Sequence, residues 1–232
     1  MTRVRPRTHF HSSRLVRVLA DLAAVKAPAP GHALAENLGL WVNYTDAITL
    51  CAVHNSGPGP APAPATPGAG AALADAFERL RSGLEHSIRS SQPPALEPDA
   101  LAHTSARELS AAYDPFRRYY QTQQRDMQLA IAPLRGKVRE ALARSSPALR
   151  QLAALDATFD AILQERETRL LASVPQLLMR RFAHWHKNPP ASHAPSDFGT
   201  ELQTVLLAEL ELRLQTTQGL IEALQQEPAS TP

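Results

Sequence analysis

The sequence predicts an all-α fold, an elongated helical bundle built on a long antiparallel helical hairpin and interrupted by proline-rich linkers. Three observations carry this reading. Apolar residues recur every three or four positions over most of the chain, the period of one helix face. Alanine and leucine are abundant, aromatic residues make up only 5% of the chain, and no stretch alternates apolar and polar residues as a half-buried strand would. The 20 prolines gather mostly between the periodic stretches, where helices must stop.

The hairpin spans residues 114–187. Asp114-Pro115 reads as a helix start, because aspartate caps exposed N–H groups and proline fits the first helical position. Phe116, Tyr120, Met127, Ile131, Leu134 and Val138 then fall on one face. Ser146-Pro147 repeats the start signal, and Leu149, Leu152, Phe159, Leu163, Leu170, Val174 and Leu177 follow at similar spacing. A short connection favours antiparallel neighbours. At 1.5 Å per residue the two helices would be roughly 45 and 60 Å long. Pro133 and Pro175 each remove a backbone hydrogen bond. Because the apolar stripe continues across both, kinks are expected rather than breaks.

The remaining chain divides around this hairpin. Residues 1–55 form a basic N-terminal segment with short helices. One is capped at Ser12-Ser13 and carries Leu15, Val18, Leu19 and Leu22; a second region runs from His32 to Val53, split near Gly39 to Thr45, with Thr45 as cap of its second piece. Residues 56–70 are a linker in which proline alternates mainly with glycine and alanine, a composition that can neither build helix nor bury much surface. Residues 71–187 form the helical bundle. It opens with a helix over about 71–89 carrying Leu73, Phe77, Leu80, Leu84 and Ile88, then a proline break at 92–98, then a shorter helix over about 99–113. Residues 188–197 are loop. Residues 198–226 form a C-terminal helix with a heptad-like row at Leu207, Leu210, Leu214, Thr217, Ile221 and Leu224. A second row, Leu202, Val205 and Leu212, lies on its other side, and a helix apolar on two sides must bury both. The 71–89 helix or a second chain would cover that side. Leu202, Val205, Leu207, Leu210, Leu212, Leu214, Ile221 and Leu224 are therefore the candidate partner interface. Glu201, Glu209, Glu211 and Glu222 make the rest of this helix acidic, a complement to the basic N-terminus.

Charge placement suggests structural pairs. Arg117, Arg118, Arg125, Arg135 and Arg139 flank the apolar face of the first hairpin helix, and Asp156, Asp160 and Glu167 form an acidic flank on the second. Folding at Ser146 would bring Arg125 level with Glu167 and Arg135 level with Asp156 or Asp160. The competing reading of the arginine flank is a phosphate-binding stripe with Tyr119 and Tyr120 as stacking groups. Interhelical pairing is preferred, since the chain supplies the acids itself. The N-terminal cluster Arg3, Arg5, Arg7, Arg14 and Arg17 faces only Asp21 within the first 25 residues. These arginines are candidate basic contacts to nucleic acid, an anionic surface or an acidic helix, against the plainer reading of a solubilising tail. A net charge of +2 argues against a dedicated nucleic-acid binder.

No residue cluster rises to a catalytic, cofactor or metal site. His184 and His186, two apart on a helix, point roughly 200° from each other and cannot chelate one ion. Asp156 and Asp160 are a turn apart, but the Glu-x-x-His pattern of bundle carboxylate sites does not occur. Cys51, beside Leu50 and Val53, reads as buried rather than nucleophilic. No Walker loop, dinucleotide glycine motif or nucleophile elbow is present. A single cysteine permits no intrachain disulfide, so a reducing, cytoplasmic location is expected, with any membrane association made through partners. The apolar stretch from Leu15 is interrupted by Arg17 and Asp21, so it is not read as a signal peptide, and no run is long enough to span a membrane.

Several stretches carry a resemblance: Arg7-Thr8-His9-Phe10 before a short Leu/Val/Arg helix, Trp41 to Ile48 (WVNYTDAI), Tyr113 to Met127 (YDPFRRYYQTQQRDM), Leu149 to Asp156 (LRQLAALD) and Arg180-Arg181-Phe182. Together they resemble an uncharacterised bacterial all-helical family, a domain of unknown function of about this length. The resemblance implies no activity or site residue. It implies proteins encoded near envelope-associated ones, hence an accessory role in an envelope assembly. The function expected is a non-enzymatic scaffold or adaptor acting through helix–helix contacts, with a protein partner or a homo-oligomer and without cofactor. The alternatives are a nucleic-acid or anionic-surface binder using the arginines, and an enzyme or metal protein built on the bundle carboxylates.

Overall fold

A computed structural model describes residues 13–22, 42–57, 68–94, 105–187 and 196–226. Its helices are α1 (Arg14–Leu22), α2 (Tyr44–Asn55), α3 (Ala69–Ser90), α4 (Ala106–Ala143), α5 (Pro147–Leu171), α6 (Val174–Lys187) and α7 (Ser196–Gln226). No strand occurs among the described residues, and the protein is all-α.

α4 is the axis of the bundle. It begins well before Asp114-Pro115, because Ser105 and Glu108 form a capping box: Glu108 N–H donates to Ser105 Oγ and the Ser105 N–H to the Glu108 carboxylate. That pair outcompetes the later start signal, so the expected helices 99–113 and 114 onward are one helix of 38 residues. Pro115 and Pro133 both lie inside it. Both are on its exposed side, so the carbonyls they leave without a donor face water rather than core. Phe116, Tyr120, Met127, Ile131, Leu134 and Val138 are all buried, and Tyr113 extends the stripe.

Pro175 behaves differently, and the expected kink is instead a break. It is buried, so an unpaired carbonyl there would sit in the core. The chain leaves the helix at Ala172 and Ser173 and restarts at Val174, placing Pro175 in a first turn where its missing N–H costs nothing. Gln124 Nε2 donates to the Leu171 carbonyl at 3.2 Å, and Tyr113 Oη donates to the Pro175 carbonyl at 2.7 Å. α4 thus satisfies the broken end. α5 starts as expected, with Ser146 as N-cap and Pro147 at the first position.

α7 packs on α4, α3 and α1. Gln203 Nε2 donates to the carbonyls of Ile88, in the last turn of α3, and of Ser91, its C-cap, at 3.0 Å each. Gly199 meets the ring of Pro93 so closely that a Cβ there would lie 3.0 Å from Pro93 Cγ. Phe182 of α6 and Phe198 of α7 join Tyr113 and Phe116 in an aromatic cluster, with ring centroids 5.2–5.6 Å apart for Phe182–Phe198, Phe116–Phe198 and Phe182–Tyr113. α2 packs on α5, held by Gln151 Nε2 donating to the Val53 and His54 carbonyls at 2.6 and 3.1 Å. Its cap is Asn43, which forms a capping box with Asp46, so the expected cap Thr45 lies inside the helix. The Asn43 side chain accepts from the Asp46 N–H at 2.8 Å, and the Asn43 N–H donates to the Asp46 carboxylate at 3.3 Å.

Candidate functional site

The site is created by the direction of α5. Leu149, Ala153 and Asp156 are buried on its first half, then no residue is buried until Leu171. Residues 164–170 are all exposed. The second half of α5 therefore stands off the bundle, and α6 returns to it after the break at Pro175. Between the two lies a groove of about 670 Å³, lined by α1, α4, α5, the start of α6 and α7. Leu15, Ile131, Leu171 and Val174 form its buried floor. Leu163, Leu177 and Leu212 are half-buried in it, while Val16 and Leu170 stand exposed at its lips.

The charged groups of the groove are compensated. Arg135 clamps Asp156 through Nε (3.0 Å) and Nη2 (2.6 Å), and reaches Asp160 through Nη1 (2.7 Å). Arg139 donates to Asp160 at 2.8 Å and to Asp156 at 3.4 Å. Burial opposes the charge on Arg135, but its bonds to Asp156 and the nearby Asp160 outweigh burial and raise its pKa above the ordinary value. On the other wall Arg213 donates to Glu209, with Nε at 2.9 Å and Nη2 at 2.8 Å. Glu209 is fully buried and also accepts from Tyr120 Oη (2.7 Å) and Gln124 Nε2 (3.0 Å). Every oxygen of that carboxylate has a donor, which is the condition for burying it. Burial, then the adjacent Glu209 charge, holds the Tyr120 phenol far above its ordinary pKa. The result is an apolar trough whose charges cancel within the chain. It suits an apolar surface rather than phosphate.

The sequence-expected residues fall as follows. Arg135 sits with Asp156 and Asp160. Arg125 is exposed and does not meet Glu167, which instead lies 4.0 Å from Arg213 Nη1. Ten residues is 2.8 helical turns, so Arg125 is rotated roughly 80° from Arg135 and points outward. Leu202, Val205, Leu210, Leu214 and Ile221 are not a surface for a partner: α3, α4 and α1 bury them, so both rows of α7 are core. Leu207, Leu212 and Leu224 remain half-buried, and of these Leu212 enters the groove. Glu209 belongs to the core rather than to an acidic surface, Glu201 pairs with Arg181, and Glu211 pairs with Arg14 at 3.3 Å. Arg14 is thus engaged by α7, Arg17 is exposed, and Arg3, Arg5 and Arg7 lie outside the described residues. Cys51 is exposed, because α2 turns Asp46, Leu50 and Val53 toward α5 and Cys51 away.

His184 is exposed, and the His186 side chain and His193 lie outside the described residues, as do His9, His11 and linker residues 58–67. Among the described residues no group of histidine, cysteine, aspartate and glutamate is placed to hold a metal, and no helix is long and apolar enough to cross a membrane. The groove and the buried Glu209 escaped sequence reasoning. Only the i, i+4 placement of Glu209 and Arg213 hinted at the latter.

No curated protein and no solved structure matches the chain. Residues 1–226 match the family described as "Protein of unknown function (DUF3348)". The match covers the helices that build the groove, and the chain belongs to that family.

Proposed function

We propose that this protein is a non-enzymatic scaffold or adaptor that works by docking a protein helix into the groove between α1, α5 and α7. The observation that carries the reading is an open apolar trough of about 670 Å³ whose arginines and carboxylates are already paired with each other. An amphipathic helix laid on its side buries about half its cylinder. For three turns of a helix about 10 Å across, that is roughly 600 Å³. The arginine flank supports this reading over phosphate binding, since Arg135 and Arg139 are taken up by Asp156 and Asp160. An envelope-associated partner is the one the family resemblance implies.

The test is affinity isolation after cross-linking, comparing wild type with Leu163→Asp and Leu170→Asp. Leu170 is 51% exposed, so its replacement leaves the fold intact. A protein recovered with wild type and lost with both variants supports docking in the groove. Equal recovery from all three, or steep salt-dependent retention on heparin that the variants keep, overturns it.

A further inference from the structure

Two features of this chain are each incomplete. α2 has no buried residue, although it carries apolar side chains on two opposite faces. Asp46, Leu50 and Val53 lie half-buried toward α5. Tyr44, Ile48, Cys51 and Asn55, spaced four, three and four apart, form an opposite stripe that is exposed, with Tyr44 at 83% and Ile48 at 52%. That stripe carries no formal charge: Asp46 and His54 both fall off it at 100° per residue. A helix apolar on two faces is stable when both are covered, and here one is open.

The groove is the second incomplete feature. Its floor runs along α4 from Gln128 to Arg139, roughly 16 Å at 1.5 Å per residue, and the 12 residues of α2 span roughly 18 Å. Its charges cancel internally, which matches an uncharged stripe. Gln128, Gln164, Gln215 and Thr216 ring it with groups that can meet the Tyr44 hydroxyl and the Asn55 amide. The chain's own α2 is held on α5 by Gln151, with the stripe turned away from that helix. We infer that α2 of one copy docks in the groove of a second copy. The two surfaces are unlike: docked reciprocally they close a two-fold dimer, and docked one way they propagate into a ring or a filament. This rests on the reading of the groove as a helix-docking surface, and names the helix.

Cys51, the single cysteine, sits on the stripe and makes the test direct. Full-length wild type is mixed with full-length Cys51→Ser/Thr216→Cys under mild oxidation. The expected result is a mixed disulfide between Cys51 of one chain and the new cysteine of the other. Ile48→Asp in the Cys51-bearing chain should lower its yield at least about tenfold while circular dichroism is unchanged, because the new charge would enter an apolar trough. Three results overturn the inference: Cys51–Cys51 dimers in wild type alone, which mean symmetric α2 pairing; an intrachain disulfide in Thr216→Cys that retains Cys51, which means the chain's own α2 reaches the groove; or no cross-link. If the cross-link fails while Leu163→Asp and Leu170→Asp still release a captured protein, the inference falls and the scaffold reading stands. If no groove variant changes anything, both fall.

Discussion

Removing the Glu209 carboxylate is expected to be among the most damaging single changes in this bundle. The side chain is fully buried and holds four donors: Tyr120 Oη at 2.7 Å, Gln124 Nε2 at 3.0 Å, and Arg213 Nε and Nη2 at 2.9 and 2.8 Å. Glu209→Ala leaves Arg213, whose side chain is 13% exposed, with Glu167 at 4.0 Å as its nearest acid, and leaves the Tyr120 hydroxyl without its acceptor. Breaking a buried pair by deleting one partner costs about 3–5 kcal/mol. For a chain of this size that lowers Tm by roughly 6–20 °C. Glu209→Gln keeps one acceptor oxygen but turns an amide N–H₂ toward donors, and should cost about 1–3 kcal/mol. The double variant Glu209→Leu/Arg213→Met removes both charges and should recover the part of the loss due to the unpaired Arg213, while the buried Tyr120 hydroxyl, still without its acceptor, keeps a cost of about 1–3 kcal/mol. Denaturant unfolding of these proteins measures the losses, and Glu209→Leu and Arg213→Met alone complete the double-mutant cycle. If Glu209→Ala lies within about 0.5 kcal/mol of wild type, the carboxylate behaves as a surface group and the buried network is refuted.

Three further outcomes follow from the fold. Phe182→Ala, which empties the centre of the aromatic cluster, should cost about 3–5 kcal/mol by denaturant unfolding, and a loss under 1 kcal/mol would mean the cluster is not packed. Ser105→Ala should cost about 1 kcal/mol as a lost cap, while Asp114→Ala, whose partner is the half-exposed Arg117, should cost about 0.5 kcal/mol or less; the reverse order would put the helix start at Asp114. Burial raises the Tyr113 phenol above its ordinary pKa, and burial then the Glu209 charge raise that of Tyr120. Their neutral forms are favoured by the fold, so this contribution to stability is complete below about pH 10 and is lost as pH rises through the higher folded values. Tyr113→Phe should therefore leave the tyrosinate absorbance of the folded protein near pH 10 unchanged, and a reduced amplitude there would contradict the burial.

The core stripe of α4 was legible because six residues, Phe116 to Val138, repeat a local period that survives whatever packs against them. The start of α4 was not, because two valid signals compete: Asp114-Pro115 looks like a beginning, yet Ser105 and Glu108 make the stronger reciprocal cap. Whether a proline breaks a helix depends on where its orphaned carbonyl points. Pro133 faces water and Pro175 faces core, a difference set by tertiary position. Arg135 with Asp156 followed from counting away from the turn at Ser146. Arg125 with Glu167 failed because the same counting ignored rotation about the helix. The two rows of α7 showed correctly that both sides need cover, but nothing in one helix says whether that cover comes from its own chain. The groove was illegible for a related reason. It is a space between five helices, α1, α4, α5, α6 and α7, opened by α5 standing away, and no local pattern encodes it.

The most direct test of groove docking is hydrogen exchange in the assembly recovered with wild type, compared with the isolated chain. The second half of α5, residues 160–171, has few buried groups and should exchange readily when free. Slowed exchange there and in α1 on assembly, with the outer face of α4 around Leu129 unchanged, is the result the groove requires. Protection confined to surfaces away from α1 and α5, with residues 160–171 exchanging as fast as in the free chain, would contradict it.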